Sequence, residues 1–377
     1  MAQATEPTIY DGTAGLAHNS SLLAQTAANY VPRYREVIFT ATPFLKSLAL
    51  AAYGTKAVIG ETSFGDVMKT SGKGIQIDKG GYQFEFPLMT AAPSMSVVGR
   101  MGNVNPQFID PAKTGAYACK RCVTPIFIPE EHILDNVGKA QLMSRMETQT
   151  KLAKSSTIRD ISYVLLGHSS APTGATTVGL NYLVSHTQGS STIGGIAKSN
   201  SWWQNQLKTC TSVGGGGDLD RPLQFTRSME SLLLSIRAKS GSTNEQTLVG
   251  TRGAWQYYAR SAYADKHGTQ GVSHKEYYDA GIDNLSFAGR PFIYDGNVQV
   301  PLGATASTEA IYFLDYNELG INIKENEYFR VEGPEAPRAH DNQRYYQLNL
   351  WIRFVPFCTN RRVQGVMYNI PANPDAS

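Results

Sequence analysis

Between Gly80 and Ile128 the side chains alternate in character. Tyr82, Phe84, Phe86 and Leu88 stand at every second position, with Gln83, Glu85 and Pro87 between them. A period of two marks a strand with one buried face. A second extended run, Gly115 to Ile128, ends in Val123, Ile126, Phe127 and Ile128. The stretch joining them, Pro93 to Thr114, is polar and rich in Gly, Pro and Asn. The pattern predicts a long two-stranded ribbon with a loose connection. A lone hairpin is marginal in water, so something outside the ribbon is expected to hold it.

The period then changes. Pro129-Glu130-Glu131 carries helix-start signals, with carboxylates where the helix dipole favours them. A short helix to about Asn136 is predicted, then a longer one from Lys139 to Leu166, about 40 Å at ~1.5 Å per residue. Leu142, Met146, Ala153, Ile161 and Leu165 share one face, and Glu147, Lys151, Lys154 and Arg159 the other. Residues 168–221 show little regular pattern. Adjacent Trp202 and Trp203 in that Gly/Ser-rich stretch read as a loop packed on a core, with a stacking platform for bases or sugars as the alternative.

An α/β lobe follows, to about Asn297. Phe225, Met229, Leu232, Leu233 and Ile236 form a helical stripe closed by Gly241. Gln246–Val249 reads as a strand, and Thr251 as the N-cap of a helix presenting Trp255, Tyr258, Ala259 and Ala262. Ile311–Leu314 and Ile321–Ile323 read as short strands. Tyr346, Leu348, Leu350, Ile352 and Phe354 alternate strictly with polar Gln347, Asn349 and Arg353, a long strand with one wet face. Residues 1–60, small and polar apart from Phe44–Leu50, read as an extended arm with one docking segment. Such an arm buries little against its own chain, so a neighbouring subunit is its natural partner.

Composition narrows the class. At 377 residues, two or more lobes are expected. Aromatics at 10% exclude a disordered chain. With 34 basic and 31 acidic side chains the net charge is +3, which argues against a dedicated nucleic-acid binder. The most apolar stretch, Phe44–Tyr53, is far shorter than the ~20 residues of a membrane span, so no membrane partner is expected. Met1 to Pro32 holds no Lys or Arg, so no ordinary signal peptide is expected there and synthesis and residence in a cytosol are.

Candidate chemistry is sparse. Cys119-Lys-Arg-Cys122 resembles half a zinc site that Cys210 and Cys358 would have to complete, without a second close pair; thiols on a strand are the expectation, and no metal or cofactor is assigned. No nucleophile elbow, phosphate loop or His-Glu-x-x-His is present, and Gly214–Gly217 lacks the strand and helix a phosphate cradle needs. No catalytic residue is assigned.

Two clusters carry a resemblance. Thr192-Ile-Gly194-Gly195-Ile196 is followed by Ser201-Trp202-Trp203-Gln-Asn205, and the chain closes with Asn360-Arg361-Arg362-Val-Gln-Gly-Val366. In this order the chain resembles the major capsid protein of tailed bacteriophages, with the α+β Hong Kong 97-type fold. The resemblance implies an N-terminal arm over 1–60 and an extended loop with flanks over 61–129. It implies a peripheral domain with spine helix over 130–221, an axial domain over 222–300, and returning peripheral strands over 301–377. Tyr82, Phe84, Phe86 and Leu88 would lie across a neighbouring copy, while the Gly194–Asn205 and Asn360–Arg362 residues would serve packing.

Implied function is structural: self-assembly into hexamers and pentamers of an icosahedral virion shell, assembled in the host bacterial cytoplasm. Separate scaffolding and portal proteins would be partners, because the arm shows no long charged scaffolding helix. Packaged DNA would touch the shell by weak, non-specific contact. Glycine stretches Gly72–Gly81, Gly99–Gly102 and Gly214–Gly217 are where bending between five-fold and six-fold surroundings is expected. Some relatives join subunits by a Lys–Asn isopeptide bond. Lys113 with Asn360 or Asn369 supplies the residue types, but no buried Glu beside them is identifiable, and none is assigned. An encapsulin-like bacterial compartment shares the fold, though its cargo groove would need an N-terminal helix where this arm reads as extended. The alternative of another class is a cytosolic enzyme or carbohydrate-binding protein using the tryptophan loop.

Overall fold

The computed structural model describes residues 42–53, 72–90, 112–129, 139–167, 177–189, 191–210, 222–240, 246–264, 284–299, 308–335 and 345–371. Its first elements are α1 (Pro43–Tyr53), β1 (Ile75–Asp78), β2 (Gln83–Met89), β3 (Ala112–Ala118), β4 (Lys120–Pro129), α2 (Lys139–Gly167) and α3 (Leu180–Leu183). Next come β5 (Thr192–Ile193), β6 (Ile196–Ala197), β7 (Gln206–Thr209), α4 (Pro222–Ser240), β8 (Gln246–Gly250) and α5 (Arg252–Ala264). The last are β9 (Asn284–Phe287), β10 (Arg290–Tyr294), β11 (Thr308–Asp315), β12 (Leu319–Lys324), β13 (Arg330–Glu335), β14 (Tyr345–Cys358) and β15 (Gly365–Pro371). The short helix expected before Asn136 and the glycine stretches at 99–102 and 214–217 lie outside the described residues.

The described residues fall into two compact units. The smaller draws on 123–159 and 329–351. Here β13 runs antiparallel to the first half of β14, pairing Arg330 with Trp351 and Val331 with Leu350, and β4 also pairs with β14. Ile126, Leu348 and Leu350 bury against Ala153 of α2, with Phe329 packed beside them. The Thr124 and Thr157 hydroxyls meet at 2.7 Å, and Thr157 also donates to the Ala153 carbonyl.

The larger unit draws on 41–122, 160–328 and 352–377. Its main sheet has the order β7-β15-β11-β8-β10-β9. The pairs β8–β10 and β7–β15 are parallel, and the other neighbours antiparallel. The predicted stripe of Phe225, Met229, Leu232, Leu233 and Ile236 on α4 is fully buried against this sheet, together with α5. At about 2 kcal/mol for each large apolar side chain, this stripe is a leading contribution to the unit's stability. All five residues of β8 are buried, so both of its edges must be paired. That requirement draws β11 from beyond residue 300, with β7 and β15 further out. The lobe read over 222–300 is therefore larger than its sequence stretch. Thr251 does precede α5, but its hydroxyl donates to the Ala310 carbonyl and accepts from the Ala310 N–H instead of capping the helix.

In the same unit β1 lies parallel to β12, and β12 antiparallel to the last residues of β14. A Cβ on Gly320 would come 2.1 Å from the Gly74 carbonyl oxygen, so only glycine permits this approach. One expectation is corrected: the docking segment Phe44–Leu50 is part of a helix, Pro43–Tyr53, and it packs on its own chain where a neighbouring subunit was expected. Leu45 and Ala49 are fully buried. The Phe44 N–H donates to the Asp295 carboxylate at 3.0 Å, and the Ser47 hydroxyl lies 2.7 Å from that of Tyr316. The carboxylate meets the helix where unpaired N–H groups cluster. Burial pushes its pKa up, opposed by its hydrogen bonds from Asn297 and Phe44. Residues 1–41 lie outside the described residues. Among the described residues, no helix is long and apolar enough to cross a membrane.

Candidate functional site

Arg361 is the centre on which the distant sequence clusters converge. It is 1% exposed and donates from Nε to the Leu183 carbonyl at 2.8 Å, from Nη1 to the Trp203 carbonyl at 2.9 Å, and from Nη2 to Asn205 Oδ1 at 2.6 Å. All three acceptors are neutral. Taking a guanidinium out of water costs several kcal/mol, and charge-assisted hydrogen bonds of roughly 1.5–3 kcal/mol each offset it. Burial lowers the Arg361 pKa, with Cys358 and the tyrosines acting against that.

Each partner is placed by its own local chemistry. Gly194 and Gly195, at φ +60° and +79°, form the two-residue turn between β5 and β6 that pairs Ile193 with Ile196. Two successive positive φ values are what such a hairpin turn demands. Trp203 closes a 3₁₀ turn through its N–H to the Asn200 carbonyl, and its indole N–H donates to the Ile193 carbonyl at 3.2 Å. Asn205, fully buried, donates to the Ser185 carbonyl at 2.9 Å and accepts from Gln188 at its own carbonyl. The Asn360 side chain accepts from the Arg362 N–H at 3.2 Å. Arg362, only part-buried, takes Gln206 on its carbonyl at 3.4 Å and stands outside the centre. Gln364 then exchanges two hydrogen bonds with the Asp315 backbone, 2.9 and 3.1 Å, handing the chain on to β15.

The ribbon, β2 with β3, is seated on this cluster. Residues opposite one another share a face, so Phe84 goes with Tyr117, Phe86 with Gly115 and Leu88 with Lys113. Phe84 packs on Phe357, ring centres 4.5 Å apart, and Phe86 stacks between Tyr117 at 5.6 Å and Trp203 at 6.1 Å. The expectation that Phe84 and Phe86 face a neighbouring copy is therefore corrected: both are buried in their own subunit, because the aromatic surface of Trp203 and Phe357 is already there to cover them. Leu88 is part-buried, Tyr82 is 64% exposed with the Arg353 guanidinium over its ring, and Met89 is 91% exposed. The Tyr117 hydroxyl donates to the Cys358 carbonyl at 3.0 Å, and Ala116 N–H donates to the Gly194 carbonyl at 3.1 Å. Lys113 lies over Trp202 at 5.6 Å.

Burial raises the Tyr117 pKa well above its ordinary value and pushes the Cys358 thiol up to about 12. Nearby Lys198 is also buried, donates to Ser185 at 3.2 Å, and has its pKa lowered, first by burial and then by Arg361. No group of three or more His, Cys, Asp or Glu side chains is gathered in metal-binding fashion among the described residues.

No family model and no curated protein matches the sequence. Solved structures match its fold. A chain of the cyanophage A-1(L) capsid asymmetric unit aligns over 90% of this chain and 95% of its own length, with a TM-score of 0.59 at 14% identity. This chain has the Hong Kong 97-type capsid fold. A structure from Mycobacterium phage Bobi aligns over 89% of this chain and 94% of its own length (TM-score 0.50, 14% identity). The holo-SrpI encapsulin complex from Synechococcus elongatus covers 80% and 87% (TM-score 0.50, 11% identity). Against this capsid fold, sequence reading assigned no role to Gly115, Tyr117 or Phe357, and held Gln364 only within the closing motif. Gly115 was findable, since Lys113, Gly115 and Tyr117 keep the same two-residue period as Leu88, Phe86 and Phe84 on the facing strand.

Proposed function

We propose that this chain is the structural subunit of a phage capsid, self-assembling as hexamers and pentamers into an icosahedral shell around double-stranded DNA. What carries the reading is the end-to-end alignment with a chain of a phage capsid, 90% of this chain on 95% of the other. The six-stranded lobe with α4 and α5 takes the part of the axial domain, and α2 with β4, β13 and the start of β14 that of the peripheral domain. The arm before Pro43 and the ribbon beyond Met89 take the inter-subunit roles, with Tyr82 and Leu88 at the ribbon's margin. Scaffolding and portal are separate proteins, DNA contact is weak, and assembly takes place in the cytoplasm of the host bacterium.

A single ribbon crossing buries on the order of 1,000 Å², too little for a lasting pair. Repeated around a closed shell, such contacts reinforce one another through effective concentration, and closure covers strand edges that would otherwise aggregate. Electron microscopy of the protein purified from cells that also make its scaffolding partner tests this: closed shells wide enough for a genome are expected, and a preparation holding only small particles overturns it. The encapsulin alignment favours a second reading, a bacterial compartment, which shells holding an enzyme cargo would establish.

A further inference from the structure

The ribbon base and the Arg361 cluster share a residue, Trp203: its indole stacks on Phe86 while its carbonyl accepts from Arg361. We propose that Gly115, Phe86 and Trp203 are positioning residues that fix the direction in which the ribbon leaves the subunit, and through it the curvature of the shell. The second half of this proposal rests on the capsid reading above.

The base is held at several places that do not lie on one line. Phe84 meets Phe357, Phe86 meets Trp203, the Tyr117 hydroxyl reaches the Cys358 carbonyl, Ala116 bonds Gly194, and Lys113 caps Trp202. A segment meant to swing freely at its root would not be tied to three different stretches of chain. Trp203 is itself immobilised, by its indole bond to Ile193 and by Arg361. Gln364, three residues on, bonds Asp315 at the end of β11. The ribbon is thereby continuous with the main sheet. The seven residues of β2 span about 20 Å, so a tilt of about 10° at the base displaces its far end by about 3 Å. That is enough to spoil close packing on any neighbour.

Gly115 is the point at which this direction is set. A Cβ there would lie 2.4 Å from Phe86 Cζ and 2.9 Å from both Cε atoms. The ring is stacked between Tyr117 and Trp203, which restricts how far it can give way. With any larger residue at 115, strand or ring must shift and the ribbon tilts.

The test is Gly115→Ala, alone and combined with Phe86→Leu, which removes the obstructing ring. The single variant is expected to keep the wild-type circular dichroism and to form shells of altered or mixed diameter by electron microscopy. The double variant is expected to return towards the wild-type diameter. Gly115→Ala shells indistinguishable from wild type overturn the proposal. Should Gly115→Ala give no soluble protein, hydrogen exchange of the unassembled wild-type subunit decides. Amides of 83–89 and 112–118 protected together with those of 365–371 support the fixed base, and ribbon amides exchanging within seconds beside a protected 365–371 overturn it. If the wild type makes no shells, the capsid reading fails, while the exchange measurement still decides whether the ribbon is fixed to its body.

Discussion

The turn between β9 and β10 places two successive residues in the left-handed region, Ala288 at φ +49° and Gly289 at φ +77°. Glycine takes that conformation without penalty, whereas a Cβ there costs roughly 1–2 kcal/mol. Asparagine before glycine is the preferred pair for such a turn. Ala288→Asn is therefore expected to stabilise the subunit by about 0.5–1 kcal/mol, read as a higher urea midpoint with an unchanged slope. At this scale the sequence was legible in residue type more than in partner. Gly194, Gly195, Asn205 and Arg361 stood out from their motifs, but nothing local says that Arg361 would bond Leu183, 178 positions away. Thr251 shows the converse: its position beside α5 was readable, while the use of its hydroxyl depended on β11 arriving from elsewhere.

Periodicity is a property of elements, and there it served well. The stripe of α4 and the span of α2 follow from a 3.6-residue pattern, and β11, β12 and β14 from short or alternating apolar runs. It served less well where an element is covered on both sides. In β14 the alternation holds to Phe354, after which Val355, Phe357 and Cys358 are all buried, because the ribbon lies over Phe357. The ribbon's own alternation announced a buried face without saying whose surface buries it. The distinction is measurable. Phe86→Asp places an unpaired carboxylate among Tyr117, Trp203 and Phe84 and is expected to cost the subunit about 3–5 kcal/mol, seen as a collapse of its thermal transition. Met89→Asp, at an exposed site on the same strand, is expected to leave stability within about 0.5 kcal/mol. If the outer ribbon contacts neighbours, Met89→Asp still lowers shell yield in sedimentation.

For the molecule as a whole, burial of weak acids is expected to set the alkaline limit of stability. The Cys358 thiol is pushed from 9.0 to about 12 by burial, and Tyr117, Tyr258 and Tyr312 are raised for the same first cause. In each case the native state keeps its proton to higher pH than the unfolded chain. The stabilisation is complete below the unfolded values and is lost as pH climbs towards the folded ones. Unfolding free energy is expected to fall from about pH 9 upward. Cys358→Ala should lessen that fall between pH 9 and 11, by at most about 1.4 kcal/mol per pH unit for one proton, in denaturant titrations at successive pH values. A flat profile would show that these groups ionise alike in both states.

The seating of Phe86 against Trp203 also equips the protein with an intrinsic optical reporter. Of four tryptophans, Trp203 is the one sealed beneath the ribbon base, in surroundings that keep water from the indole. Its emission is expected to be blue-shifted while the ribbon is docked and to move to longer wavelength on unfolding. Any displacement of the ribbon base thus becomes observable in real time, in unmodified protein, without an attached dye.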